Sequence, residues 1–396
     1  MDMNVRSFGG ETLLSSTVGI NANGDPDNSC PFDHSAGRDL ATKVLGCTSG
    51  DTQALGGGIS YVAPGMKGQY TQELIFGAEY EVMPDVTVGA NYVHRSLPSV
   101  IEDMSTDGGS NYLIGNPSAN YDDEAGKLEA QANALMTGSD ADRSLAALYQ
   151  SRASQLRAVK FVDPPSRNYD ALQVSAKTRA TRNSLLTATY TYSRAMGNYP
   201  GLFSTETNQL DPNITAQYDL PDLMPNRYGP SGLDRPHNLK VDGFYQFDLE
   251  KAGLLILGAS VRAQSGVPSN TLAAHPIYGQ DESYLLPRGA IYRSPASATV
   301  DTHVSYGYQL GKTTRLEGFI EIFNLFDQQP EVSVDETYTK SSSLPIVGGD
   351  VQDLPHAKAT IGRRQTSSVI IKNLNYGKTT ARQTPLTGQL GFRLTF

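Results

Sequence analysis

The sequence has no tryptophan, only two cysteines and no long apolar segment. Its longest apolar run, about Gly253 to Val261, is far shorter than the ~20 residues of a membrane-spanning helix. Acidic residues outnumber basic ones, with 41 Asp and Glu against 32 Lys and Arg and a net charge of −9. Because no basic stripe is available to neutralise phosphates, a nucleic-acid partner is not expected.

The two cysteines, Cys30 and Cys47, lie in a segment rich in Gly, Asp and Ser. No His or further Cys stands near them at zinc spacing, so a metal site is not predicted there. We interpret the pair as a disulfide within a loop, with free thiols as the alternative. A disulfide requires an oxidising compartment, and a loop at the cell surface meets that requirement.

The amino terminus, MDMNVRSFGGETLL, has no basic region followed by an apolar core, so no secretory signal is recognised. An exported protein carries such a signal in its precursor. If the chain is exported, we therefore expect it to be a mature or truncated form. Its 396 residues would suffice for two or three soluble domains or for one large barrel.

The last stretch, QTPLTGQLGFRLTF, alternates strictly between two kinds of residue. Leu390, Phe392, Leu394 and Phe396 fall on one face, and the residues between them are polar or glycine. A period of two is that of a β-strand. A strand at a chain terminus stays ordered when partners on both sides hold it, as in a closed barrel. An edge strand of a soluble sandwich is the alternative.

The same alternation recurs along the chain in pairs of segments. Short turns join the two members of each pair, near residues 83–85, 181–183, 250–253 and 311–313. Long connections separate the pairs, at about residues 96–168, 196–236, 265–297 and 328–382. Short turns on one side and long loops on the other are typical of up-and-down barrels in the outer membrane. Long loops also argue against a compact soluble domain.

Helical spacing of apolar residues occurs in the first long connection, within Asp122 to Ser151, where Ser139 or Asp140 suits a helix N-cap. The sequence thus predicts an all-β fold, an antiparallel up-and-down transmembrane β-barrel with long extracellular loops that carry short helices. About nine to ten strands of a larger barrel are counted. Residues 1–70 are expected to hold a strand remnant near Met3 to Phe8 and an extracellular loop, and residues 71–396 the barrel.

Charged residues fall on the face opposite the apolar one. On the lipid side each would cost about 2–4 kcal/mol at the membrane midplane, so we expect them to face a polar lumen. The lumen-facing candidates are Glu79, Glu81, Lys240, Asp242, Arg262, Asp301, His303, Glu317, Glu321 and Arg393. Tyr and Phe near strand ends, such as Tyr80 and Tyr92, would form the aromatic girdles at the two interfaces.

Several segments resemble one protein family. The segment EGFIEIFNLFDQQP, in which Asn324 to Asp327 end the penultimate strand, resembles the late barrel strands of TonB-dependent receptors. Five segments are similar to the Oar-like branch of that family, namely QELIFGAEYEVMPDVTVGANYVHR, IEDMSTDGG, YDALQVSAKTRATRNSLLTATYTYSRAMGN, QSGVPSN and LPRGAIYRSPA. The resemblance covers nearly the whole chain from about Thr71. The terminal residues Phe392, Leu394 and Phe396 resemble the signal by which outer-membrane barrels are recognised for assembly.

The resemblance implies a place in the outer membrane of a Gram-negative bacterium and a role in uptake or export across it. Family members have a signal, a TonB box, a plug and a barrel of about 22 strands. No TonB box or plug is recognised here, so we expect the carboxy-terminal portion of a receptor barrel. The implied partners are outer-membrane lipid, the barrel-assembly machinery, the plug and remaining barrel half with TonB reached through them, and an unknown small-molecule or peptide substrate. No cofactor is implied.

Two other functions stay open at this point. A self-closed barrel of about ten strands could act as an adhesin or other surface protein. A barrel-type hydrolase would need an Asp/His pair at the outer rim, where Asp219, Asp222, Asp234 and His237 are residues of the right type. No HExxH or GxSxG motif occurs, and the sequence around Gly311 lacks the rest of a phosphate-binding loop. We therefore predict no catalytic, cofactor or metal site and no enzyme activity.

Overall fold

The computed structural model describes residues 13–16, 52–55, 61–107, 111–201, 203–204, 209–210, 215–311, 313–361 and 364–396. Cys30, Cys47 and the strand expected near Met3 to Phe8 lie outside these described residues. The chain forms two compact units, here named the helical unit (Met1–Gly68, Ser99–Pro164 and Pro212–Met224) and the sheet unit (Gln69–Pro98, Pro165–Asp211 and Pro225–Phe396).

The sheet unit is built on nine long strands. They are β1 Tyr70–Met83, β2 Val86–Ser99, β3 Arg167–Thr178, β4 Ser184–Gly197, β5 His237–Asp248, β6 Leu254–Gln264, β7 Ser297–Gln309, β8 Arg315–Phe323 and β9 Thr387–Thr395. Each lies beside its neighbours in the sequence. All the registers from β2 to β9 are antiparallel, which confirms the predicted fold class. A short strand, Gly229–Pro230, also pairs with β4.

The connections alternate between short and long. Short turns join β1 to β2, β3 to β4, β5 to β6 and β7 to β8. In the first, Asp85 takes a left-handed conformation with φ 64°, and in the third Gly253 does so with φ 109°. Glycine adopts such angles without strain and Asp tolerates them, so these residues suit tight turns. The long connections span residues 100–166, 198–236, 265–296 and 324–386.

Because apolar and polar residues alternate along each strand, the sheet has two different faces. On the face named here the apolar face, Leu257, Val304, Ile320 and Leu390 stand side by side on β6 to β9, all of them exposed. One residue along each strand, the opposite or polar face carries the row Gly258, His303, Glu321 and Gln389. Exposed apolar rows of this kind match a hydrocarbon environment rather than water.

The two outer strands of the sheet are β1 and β9. Within the described residues, no strand pairs with the outer edge of either one. Because directions alternate, β1 and β9 run the same way, and a direct pair between them would be parallel. Outer-membrane barrels close through antiparallel pairs, so closure calls for an odd number of further strands between these two edges.

The long connections of the sheet unit carry their own structure. Their strands form small sheets: Phe203–Ser204 with Gln209–Leu210, Pro268–Ser269 with Tyr292–Arg293, Leu272–His275 between Gly279–Tyr284 and Thr337–Ser342, Glu331–Val334 with Thr379–Arg382, and Lys358–Ile361 with Arg364–Val369. A one-turn 3-10 helix, Glu250–Ala252, lies in the short turn between β5 and β6, and another, Leu354–His356, lies in the last long connection. A core of Ala273, Leu285, Leu286, Tyr338, Leu354, Ala357 and Ile370 is buried here. We call the packed part of the connections after β4, β6 and β8 the cap; it lies within residues 226–376 and does not include the long strands.

The helical unit contains two helices, α1 Asp122–Leu135 and α2 Asp140–Ala158, followed by the 3-10 turn Val159–Phe161. Its strands are Leu13–Ser16 with Thr52–Leu55, and Tyr61–Val62 with Leu113–Gly115 and Glu102–Met104. Two further 3-10 turns are Ala216–Tyr218 and Pro221–Leu223. Within the described part of the chain, no helix is both long and apolar enough to span a membrane.

Small residues and ion pairs join α1 to α2. Ala125, Ala132, Ala146 and Ala153 are buried. Beside these alanines, the Arg157 guanidinium on α2 donates two hydrogen bonds of 2.8 Å to the Glu129 carboxylate on α1. Bidentate pairs of this kind are the stronger class of ion pair, and here they fix the relative position of the two helices.

Helix α2 begins with a capping box at Ser139, one of the two residues predicted as its N-cap. Ser139 Oγ accepts a hydrogen bond from the Asp142 amide at 3.2 Å, and the Asp142 carboxylate accepts one from the Ser139 amide at 2.8 Å. The hydrogen bonds from Ser139 lower the pKa of Asp142. The box therefore satisfies two amides that the helix leaves without partners.

Replacing Ser139 with Ala is expected to destabilise the first turn of α2 by about 1 kcal/mol. Amide hydrogen exchange at Asp142 and Arg143 measures this change. Ser144→Ala is the matched control, since the Ser144 hydroxyl bonds only to the Asp140 carbonyl within the helix. Ala is the better helix former, so Ser144→Ala should leave exchange unchanged or slower. Equal acceleration in both variants would contradict the capping role.

Candidate functional site

A depression of ≈ 620 Å³ lies on the polar face, between β4 and β8. Its lining includes the acidic residues Asp242, Asp301 and Glu321. Phe244, Phe323 and His303 add aromatic surface to the same lining. Carboxylates and rings side by side allow contact with a polar ligand that also carries an apolar or cationic part.

His303 lies in the lining of this depression and contacts residues on the neighbouring strand β8. Its Nδ1 lies 2.9 Å from Glu321 Oε1, and its ring stacks on Phe319 with centroids 6.0 Å apart. The second oxygen of Glu321 accepts a hydrogen bond from the Gln389 amide group. Because these residues are direct cross-strand partners, the sheet register alone aligns them as one chain of hydrogen bonds across β7, β8 and β9.

Other predicted residues form separate groups. Arg262 donates to Asp242 Oδ1 at 2.7 Å across β5 and β6. Asp301 Oδ1 accepts from the backbone amide of Asn324 at 2.8 Å, and the Asn324 amide group donates to the carbonyl of Thr384 at 2.8 Å. Asp301 therefore has a structural role, because its hydrogen bond to Asn324 fixes the chain where β8 ends.

The remaining candidates lie on the strands outside that depression. Glu317 lies 3.6 Å from the Arg315 guanidinium and stands opposite Arg393 in the register. Lys240 stands opposite Arg262. On β1, Glu79 is beside Gly89, and Glu81 accepts a hydrogen bond from the Asp85 amide at 3.3 Å. Of the ten predicted residues, four line the depression, namely Asp242, Asp301, His303 and Glu321, and the other six lie outside it. Among the described residues, no group of three or more His, Cys, Asp or Glu could hold a metal ion.

The geometry also bears on the hydrolase alternative. Asp234 accepts from the Arg293 guanidinium at 2.6 Å and from the Ala195 amide at 2.7 Å. His237 Nδ1 lies 2.7 Å from the hydroxyl of Tyr190, and its ring packs against Tyr192. Of the four residues named for a rim hydrolase, Asp234 and His237 are thus each bonded to other partners and not to each other.

Phe392 and Leu394 lie on the apolar face of β9, and Phe396 follows the end of the strand. Phe392 is 73% exposed and Phe396 is 92% exposed, with Leu394 exposed between them. Their neighbour Arg393 lies on the other face, opposite Glu317. Whether this end is read as an assembly signal stays a prediction.

Polar residues buried inside the cap were not among the residues predicted from the sequence. Arg227 is 8% exposed and donates to both the carbonyl of Glu282 at 2.9 Å and its carboxylate at 3.2 Å. The Arg227 guanidinium also lies 4.9 Å from the centre of the Tyr284 ring. An ion pair so far from water is stable only because both partners keep their hydrogen bonds.

Asn226 lies next to this pair. Its side-chain amide donates to the carbonyls of Tyr284 and Leu285 at 3.1 Å and of Ile346 at 3.3 Å. The residue has a φ of 66°, which Asn tolerates better than most residues. A cue was available in the sequence, since Asn226 precedes Arg227 in a stretch rich in turn-forming residues, but that cue does not identify its partners.

Burial shapes the acid–base properties of the cap. Desolvation raises the pKa of Asp281, although its carboxylate accepts a 2.7 Å hydrogen bond from the Thr337 hydroxyl. Desolvation likewise raises the pKa of Tyr376, whose hydroxyl lies 2.7 Å from the Thr271 hydroxyl. Both shifts follow from burial, and neither group lines the depression on the polar face.

Nine sequential antiparallel strands with one exposed apolar face, one polar face and alternating short and long connections define the wall of a membrane β-barrel. Comparison with known proteins agrees. A family model described as "Outer membrane beta barrel domain" matches residues 6–261. The TonB-dependent transporter Oar of Myxococcus xanthus is 38% identical over 297 residues, and the match covers 74% of this chain and 24% of that protein. The chain thus spans about a quarter of that relative.

Two solved structures are also similar over part of their length. The ferric-catecholate import receptor Fiu of Escherichia coli gives a TM-score of 0.33 at 10% identity, covering 68% of this chain and 25% of that one. The outer membrane transporter YddB of Escherichia coli gives 0.40 at 13% identity, covering 87% and 35%.

The chain belongs to the outer-membrane β-barrel family, and its place is the outer membrane of a Gram-negative bacterium. The resemblance to the Oar-like branch of TonB-dependent receptors, read from the strand motifs, is confirmed by the 38% identity to a transporter of that name.

Proposed function

We propose that this chain forms part of the barrel wall of a TonB-dependent transporter, with its polar face lining the passage through which a solute crosses the outer membrane. The proposal is supported by the contrast between the two faces of the sheet, one apolar and one polar. A continuous apolar row on β6 to β9 backs a row of His303, Glu321 and Gln389 joined by hydrogen bonds. Charges on that side avoid the cost of about 2–4 kcal/mol that they would have in lipid.

The ligand would first meet the cap and then the polar face. The ≈ 620 Å³ depression offers carboxylates beside aromatic rings, a lining suited to a small molecule or peptide. Whether the solute is taken up or exported would be decided by how transport is coupled to a source of energy. Coupling would come from TonB, which the name of the Myxococcus xanthus relative includes, and from a plug, which the resemblance to TonB-dependent receptors implies. The barrel-assembly machinery would engage the exposed end of β9, at Phe392, Leu394 and Phe396.

Heat-modifiability on gels tests the barrel part of this proposal. We expect the 396-residue chain, refolded alone in detergent micelles, to give no compact band on unboiled gels, because direct pairing of β1 with β9 would be parallel. Refolding with the remainder of the full-length polypeptide should restore the compact band. The full-length protein should then bind the periplasmic domain of TonB in a pull-down.

The opposite results would favour the alternative. A compact, heat-sensitive band from the chain alone would mean that its strands close by themselves, as in a small surface barrel or adhesin. A full-length protein that closes but does not bind TonB would remove the coupled-transport function and leave the barrel assignment intact.

A further inference from the structure

A second depression on the polar face, of ≈ 290 Å³, lies toward the ends of β3, β4 and β5 that lead into the long connections. Arg235 and Lys240 supply its charge, and Thr189, Thr191, Gln173 and Asn238 supply hydroxyl and amide groups. Of the described residues that line it, none is acidic. Its lining therefore differs in sign from that of the larger depression, where Asp242, Asp301 and Glu321 dominate.

Like charges are placed together around this depression. Lys240 stands directly opposite Arg262 on the neighbouring strand. Two cations in such a cross-strand position destabilise a sheet. Burial lowers the pKa of Arg235, and the charge of the nearby Arg293 lowers it further. The fold thus keeps two repulsive pairs at one place.

The carboxylates at this place neutralise only part of that charge. Asp242 accepts from Arg262 at 2.7 Å and also interacts electrostatically with Lys240, and Asp234 accepts from Arg293 at 2.6 Å. Arg235 instead donates to the backbone carbonyl of Ser265 at 2.7 Å. The four cations and two carboxylates leave an excess of positive charge, in a chain whose net charge is −9.

We propose that this depression is a binding site for an anionic group, a carboxylate or a phosphate, held by Arg235 and Lys240. The planar guanidinium matches both groups, and Lys240 adds a point charge from the adjacent strand. The hydroxyls of Thr189 and Thr191 and the amide groups of Gln173 and Asn238 offer further donors. A bound anion would relieve both repulsive pairs, whereas a neutral ligand of the same size would not.

The inference deepens the proposed transport function, because it gives the chemical class of the ligand. Binding itself is independent of transport and can be measured in micelles. If the anion binds but TonB does not, the transport proposal fails and the site remains. If TonB binds but the anion does not, this inference fails alone.

Thermal unfolding of the full-length protein in detergent, at constant ionic strength, tests the site with two probes. Inorganic phosphate and citrate distinguish a phosphate from a carboxylate preference. We expect at least one of them to raise the unfolding temperature in a concentration-dependent way, which follows from binding to the folded state. In Arg235→Gln and Lys240→Gln, affinity should fall by roughly 10- to 100-fold, the loss expected for one charged hydrogen-bonding partner.

A second readout separates binding from a structural role. Without anion, Lys240→Gln should be as stable as the wild type or more stable, because a repulsive pair is gone; a structural lysine would give the reverse. Lys177→Gln is the matched control, a cation on the same face toward the short-turn end of β3. It should bind both probes as the wild type does. Absence of stabilisation by either probe, or an equal loss in Lys177→Gln, would overturn the site.

Discussion

Replacing Arg227 with Met is expected to destabilise the cap by about 3–5 kcal/mol, the usual cost of breaking a buried ion pair. The reason is the partner left behind. Glu282 is 4% exposed, and its carboxylate would stay in the cap without the guanidinium that compensates it. The variant also loses the bond to the Glu282 carbonyl and the contact with the Tyr284 ring.

Amide hydrogen exchange in the cap measures this effect. The amides of Leu285 and Arg288, bonded to the carbonyls of Thr271 and Asn226, should exchange a few hundred to a few thousand times faster. The double variant Arg227→Met, Glu282→Leu should recover most of the protection, since no buried charge remains. Arg143→Ala, which removes an exposed pair with Asp140, is the control and should change nothing measurable. Unchanged exchange in Arg227→Met would show that the pair is not what holds the cap.

The second large effect concerns the apolar face. Leu390→Arg is expected to lower the free energy of unfolding in phospholipid bilayers by about 2–4 kcal/mol, the cost of Arg on the lipid side of a barrel near the midplane. Leu390 lies centrally in β9, is 66% exposed and stands beside Ile320 on β8. In lipid, that exposed side chain contacts hydrocarbon, which cannot solvate a guanidinium.

The neighbouring position supplies the control. Gln389 precedes Leu390 on the same strand but points to the polar face, where it bonds Glu321. Gln389→Arg would place a cation beside that carboxylate, so we expect a much smaller effect on denaturant unfolding in the same vesicles. Equal destabilisation by the two variants, or a larger one for Gln389→Arg, would mean that the faces are assigned the wrong way round.

The part of the fold that the sequence predicted is the part governed by local rules. Alternation with a period of two fixes which face each strand residue occupies, and turn-forming residues such as Pro84 and Gly253 mark where strands reverse. Sequential pairing then follows because short turns force neighbouring strands together. For the same reason the row from His303 to Gln389 could be expected on one face before its hydrogen bonds were seen.

The cap could not be predicted in this way. Its core residues follow no period of two or 3.6, and its contacts join distant parts of the chain. Asn226 and Ile346, for example, are 120 positions apart. Arg235 shows the same limit on a smaller scale, because its like-charged neighbour Arg293 comes from another connection. Loop length and composition do not encode such pairings, whereas strand patterning encodes its neighbours directly.

The single amide group of Asn226 has a further consequence for how ligands gain access. It joins the connection after β4 to carbonyls from the connections after β6 and β8. Three segments that share one donor cannot swing aside one at a time without leaving polar backbone groups unsatisfied. We therefore expect these three connections to respond to a ligand together, as one rigid body, and not independently of one another.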